Sequence, residues 1–217
     1  MPKASLPAHE LVYRRVRDKV LFGDLAPGQA VTIQGLVEEI GVSMTPVREA
    51  IRRLTAEGAL VFQGNRRVCV PQMDENSFSE LVFARQSVEP ELARLACENI
   101  SEDAIPELRA IDQCVNRAIE AGDVPRYMFE NHRFHFELYG HANSSILAPM
   151  AEGLWLRYGP LYRIICGKWG TANVKDFHDE AVTALQDGDG KAAAEAILLD
   201  IQQGFEIVRI SFEWSKI

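Results

Sequence analysis

Two sets of side chains in this sequence have the types and the spacing to do chemistry. In the run Tyr127-Met128-Phe129-Glu130-Asn131-His132-Arg133-Phe134-His135, Asn131 and His135 are four residues apart. A helix would put both on one face, about 6 Å apart along its axis. His178 opens a later helical stretch, and Asp200 sits inside the last one. Four polar side chains from three helices, each flanked by apolar residues, could converge inside a bundle, which is how helical bundles build metal sites. Two imidazoles with oxygen donors suit Zn²⁺, Ni²⁺ or Mn²⁺, and the residue types do not rank the three. The other reading of the same residues is a hydrogen-bonded core with no ion. His132 and His141 point elsewhere on their helix and read as structural or surface groups.

The second set is Gly41-Val42-Ser43-Met44-Thr45-Pro46-Val47-Arg48-Glu49-Ala50-Ile51-Arg52-Arg53-Leu54. With Val47, Ile51 and Leu54 turned inward, Arg48 and Arg52 lie one turn apart on the opposite side. Ser43 and Thr45 stand at the helix start, where free N–H groups and the positive dipole end favour a phosphate. Hydroxyls and amides to hold a backbone, with an arginine fork for guanine or phosphate, are what a DNA-recognition helix needs. Arg66 and Arg67, a little further on, would follow the minor groove or flanking phosphates. Taken alone, this segment also reads as a solvated basic helix face with a capping threonine.

The elements that must position these groups can be read from the pattern. Val12, Val16 and Val20 recur every fourth residue, the mark of one buried helical face, and Gly23 to Gly28 stop that helix. Thr32 caps a second helix with Leu36, Val37 and Ile40 inward, closed by Gly41. A third helix follows, with Thr45 expected as its N-cap and Pro46 at its first position, closed by Gly58. Two strand-like runs, 59–63 and 67–70, then flank Gly64-Asn65. This order predicts a winged helix-turn-helix over residues 1–71. Beyond Pro71, six helices are expected near 77–98, 102–121, 124–142, 145–168, 173–188 and 190–214. The fold class is therefore mainly α, with an all-α bundle over residues 72–217. Pro160 predicts a kink in the fourth of these helices.

Composition agrees. The 217 residues are 47% hydrophobic and 25% charged, which excludes a disordered or disulfide-scaffold chain. No apolar stretch approaches the roughly 20 residues that span a bilayer, so no membrane partner is expected. The four cysteines lack metal-finger or CxxC spacing, and they suit a reducing cytoplasm. Net charge is −8, but residues 1–70 carry +3 and the remainder −11. A basic amino-terminal unit joined to an acidic remainder points weakly to a nucleic-acid reader attached to something else.

The run Gly23-Asp24-Leu25-Ala26-Pro27-Gly28, the run from Gly41 to Ala50, and Leu54-x-x-Glu57-Gly58 resemble the GntR superfamily of bacterial transcription regulators. The resemblance implies that Ser43, Thr45, Arg48 and wing-tip Gly64 contact DNA. Two positions depart from the family pattern. Met44 stands where relatives often have Arg, and Gln34 where some use Arg, changes expected to lower phosphate affinity or shift base preference.

Phe134-His135, Asn143, Phe177-His178, Ala184-Leu185, Asp189 and Arg85-x-x-x-Glu89 resemble the effector-binding FCD domain of the FadR subfamily, in its six-helix branch. In metal-binding members the ligands are an Asp one turn before the first His, that His, a later His and a His in the last helix. Here Asn131 replaces the Asp and Asp200 the last His, so the ligand set keeps one negative charge. The resemblance implies a small organic acid held near the ion, with Arg85, Arg157 and Tyr158 as candidate effector contacts. For Arg85 the competing role is an ion pair with Glu89. It further implies a homodimer on a palindromic operator, associated with the nucleoid when bound to DNA.

The expected function is thus a DNA-binding transcription regulator controlled by a small carboxylate, and not an enzyme. A metalloenzyme with a DNA-binding module is the first alternative. Against it, HExxH is absent, and His132-Arg133-Phe134-His135 puts a cation and an aromatic where a general base belongs. A metal-free structural DNA-binding protein is the second.

Overall fold

Valine spacing sets the first helix. α1 (Ala8–Leu21) buries Val12, Val16 and Val20 completely. The computed structural model describes residues 7–64, 67–169 and 175–211, so Arg66, expected in the wing, lies outside the described residues. Chain contacts divide the protein into two units: Met1–Met73 with Trp155–Leu161, and Asp74–Leu154 with Tyr162–Ile217.

In the first unit, α1 is followed by β1 (Ala30–Val31), α2 (Ile33–Ile40), α3 (Met44–Ala56), β2 (Val61–Gln63) and β3 (Arg67–Cys69). The Thr32 hydroxyl accepts the Gly35 N–H at 3.1 Å and starts α2. Gly41 ends it at φ 75°, a conformation that a Cβ would strain. α3 begins one residue after Ser43, which is its N-cap, rather than after Thr45. Ser43 keeps an extended backbone and the chain turns helical at Met44. Pro46 then falls third in the helix, still within the first turn, where no intrahelical N–H bond is required. Val47, Ala50, Ile51 and Leu54 form its buried stripe.

The hairpin forms as the sequence suggests, with Gln63 opposite Arg67 and Val61 opposite Cys69. It gains a third strand that periodicity could not show, because β1 is only two residues long and pairs with the far side of β3. Trp155–Leu161 also belong to this unit, although the sequence pattern puts them wholly in the bundle. Gly159 lies so close to the Leu21 carbonyl oxygen that a side chain there would overlap it. Such a contact joins residues far apart in sequence, and no local pattern announces it.

The second unit is helical. α4 (Glu75–Asn99) leads through one 3₁₀ turn (Glu102–Ala104) to α5 (Ile105–Ala121) and α6 (Val124–Gly140). α7 (Leu147–Trp169), α8 (Phe177–Gln186) and α9 (Gly190–Ser211) follow. Asp74, Asp123 and Asp176 each accept a backbone N–H three residues on and so cap α4, α6 and α8. α9 packs along α4 and α8, and α5 packs on α6. Phe134, Leu138, Leu108 and Ile197 are fully buried among them. No helix among the described residues is long and apolar enough to cross a membrane.

Candidate functional site

The first unit leaves one face of α3 open to solvent. Arg48 and Arg52 are exposed on the side opposite its buried stripe, and Ser43, Met44 and Thr45 are exposed at its start. The Ser43 side chain makes no capping bond, so it leaves the first N–H groups of α3 without that partner. Arg53, on another side of the helix, is used differently. Its guanidinium stacks 3.5 Å over the Tyr13 ring and pairs with Glu57 and Glu10, while the Tyr13 hydroxyl donates to Glu57 at 2.9 Å. These contacts fasten α3 to α1. Gly64, at φ 64°, ends β2 at the exposed tip.

The second unit gathers the histidines. His135 Nε2 lies 3.2 Å from one oxygen of Asp200, and His178 Nε2 lies 3.6 Å from the other. The two rings meet edge to face at 5.1 Å. His135, His178 and Asp200 each offer a ligand atom within 4.8 Å of the others. Both Nδ1 atoms are held from behind. His178 Nδ1 faces Asp112 Oδ1 at 3.2 Å, and Asn116 donates to Asp112 and Asp176. His135 Nδ1 faces the Tyr139 hydroxyl, which donates to Glu89 at 2.8 Å, and Arg85 grips both Glu89 oxygens. An imidazole whose Nδ1 is held by a carboxylate, as at His178, and whose Nε2 is presented is the usual arrangement of a metal-binding histidine.

Charge follows from this packing. Burial, the strongest influence on His135, holds it below the ordinary imidazole range despite Asp200 beside it. Burial also opposes charge on His178, but Asp200, Asp112 and Asp176 outweigh it and raise that group. At Asp200 burial pushes upward, and His178, His135 and Arg85 together pull it below the carboxylate range. The residues fit a divalent ion. His178 Nε2 is buried without a hydrogen-bond partner, and 3.6 Å is too long for a bond to Asp200. Such an orphan acceptor beside a carboxylate is what a ligand awaiting a cation looks like. Asp200 keeps 23% of its side-chain surface exposed, so the cluster is not sealed from outside.

Asn131 is buried one turn before His135 on α6. Arg85 is buried and makes the ion pair with Glu89 that its spacing allowed. Arg157 and Tyr158 fall in the first unit, where the Arg157 guanidinium lies against Gly58 and the Tyr158 and Trp155 rings meet edge to face. Sequence reasoning missed Asp112, Asn116 and Tyr139. The signal for Asp112 is a carboxylate set in the apolar stripe Leu108, Ile111, Val115.

Comparison with known proteins places this geometry in a class. Residues 8–70 match the bacterial regulatory proteins of the gntR family, and residues 80–203 match the FCD domain. The chain belongs to the GntR family of DNA-binding transcription regulators, with an FCD domain following its winged helix. It is similar to the HTH-type transcriptional regulator McbR of Escherichia coli K12, 28% identical over 197 residues and 89% of each chain. The solved structure of E. coli McbR/YncC superposes with a TM-score of 0.88 at 26% identity, covering 95% of this chain and 99% of that one. The Nta operon transcriptional regulator of Aminobacter aminovorans is 32% identical over 116 residues, 52% of this chain and 54% of that protein.

Proposed function

We propose that the helical unit binds a divalent metal ion and that a small organic acid completing its coordination changes operator affinity. His135, His178 and Asp200 would hold the ion, with the Asn131 carbonyl as the fourth donor. One observation carries the reading: both Nε2 atoms face Asp200 while both Nδ1 atoms are engaged behind them. The ion would act as a Lewis acid that receives a carboxylate. The chain's own residues fix the imidazoles and exclude bulk water from them. Zinc, nickel and manganese all suit two nitrogens and two oxygens. Coupling to DNA requires only that the acid bind the DNA-competent and incompetent states unequally. A homodimer on a palindrome supplies the affinity that one small winged module lacks.

The test begins with chelator-stripped protein titrated with each metal while melting is followed. A bound ion raises the melting temperature by mass action, and Asp200→Ala and His178→Ala should lose that rise together with most of the metal recovered on purification. Equal metal content in all three proteins would defeat the metal site. Metal-loaded protein whose DNA affinity is indifferent to a panel of small carboxylates would defeat the effector half alone.

A further inference from the structure

We propose that Met44 is a specificity-determining residue, reading the C5-methyl group of a thymine in the major groove. Met44 is the first residue of α3 and is 50% exposed, whereas Val47, Ala50, Ile51 and Leu54 are 0–4% exposed. Half of the methionine surface is therefore open to a partner. Positions 44, 48 and 52 are spaced by four, so Met44, Arg48 and Arg52 form one row along the exposed face. The row changes chemistry along its length, from an apolar tip at the helix start to two guanidinium groups further on.

A recognition helix brings its first residues to the base edges. There, a thioether has no N–H or O–H to give guanine or adenine, and the only apolar feature in the major groove is the thymine methyl. Arginines one and two turns later remain free to take guanine or phosphate. Beside Met44, the hydroxyls of Ser43 and Thr45 and the N–H groups of the first turn can fasten a phosphate. Fastening of that kind sets how deep and in which register the methionine enters. Burying an exposed methionine against a methyl is favourable in itself, because both leave water.

The full-length chain is used to select from a pool of randomised duplexes, and the enriched site is remade with each thymine replaced singly by deoxyuridine, which removes only the methyl. Affinities are read by fluorescence anisotropy. At one thymine the replacement should weaken the wild-type protein about fourfold, the worth of one buried methyl. Met44→Ala should bind the thymine and deoxyuridine sites equally, and Met44→Leu should keep the discrimination. A site indifferent to every methyl, or Met44→Ala as discriminating as the wild type, overturns the proposal while leaving sequence-specific binding intact. Selection that enriches no sequence overturns readout by α3 as a whole.

Discussion

The exposed row on α3 and the buried cluster of the second unit use overlapping chemistry under opposite conditions. On α3, Arg48 and Arg52 stand in solvent, and the start of the helix is left without a side-chain cap. In the cluster, Arg85 is buried against Glu89, Glu89 receives Tyr139, and Tyr139 meets His135. A surface that reads a partner keeps its bonding capacity for that partner, so its polar groups add little to folding. A buried polar cluster has to be satisfied within the fold or by a ligand, so its members hold one another in place. Substitutions in the two regions should therefore be felt in different measurements.

The largest effect is expected from Arg85→Ala. It leaves the Glu89 carboxylate, fully buried, without its counter-charge, and breaking such a pair costs about 3–5 kcal/mol. Urea denaturation should show that loss, while the fraction that stays folded should bind DNA normally. A destabilisation below about 1 kcal/mol would mean that the pair does not anchor the cluster. Arg48→Ala should do the converse. Its side chain is exposed, so stability should move by no more than about 0.5 kcal/mol. Affinity for the selected DNA site should fall about 10- to 100-fold, the worth of one base or phosphate fork. Equal affinity in mutant and wild type would remove Arg48 from the interface.

The contrast also accounts for what could be read in the sequence. Exposed reading groups obey local rules: Val47, Ile51 and Leu54 fix one face of α3, so Arg48 and Arg52 must occupy the other. The helices α4, α5, α6 and α8 are equally local, each bounded by caps or breaks close to their expected places. The convergence of His135 and His178 on Asp200 was legible as a possibility, because each stands on an apolar helical face. What completes the cluster was not. Asp112 reaches His178 across 66 residues and Tyr139 reaches Glu89 across 50, and periodicity carries no information about such pairings. The same limit explains β1, which exists only because β3 lies beside it, and Gly159, whose neighbour is Leu21. Arg85 is a different case. Its spacing to Glu89 allowed an ion pair, and the pair forms in the interior.

A smaller effect sharpens the comparison inside the first unit, where a part-buried polar network ties α3 to α1. Tyr13 joins α1 to α3 through Glu57, and its hydroxyl is pushed up from 10.0 to about 12. Burial contributes most, followed by the bond to Glu57 and its charge, while the Arg53 guanidinium pulls the other way. Because the folded value lies above the unfolded one, the stabilisation from this phenol is complete below pH 10. It is lost as pH rises from there through about 12. Ultraviolet difference titration should show a phenol, absent from Tyr13→Phe, that ionises near that upper value. Glu57→Gln should bring its midpoint back toward 10 by removing the acceptor's charge. Tyr13→Phe should also lack the part of the alkaline stability loss that belongs to this group. A phenol titrating at its ordinary value would show that the hydroxyl does not hold α3, leaving Arg53 stacked on the ring as the tie between the two helices.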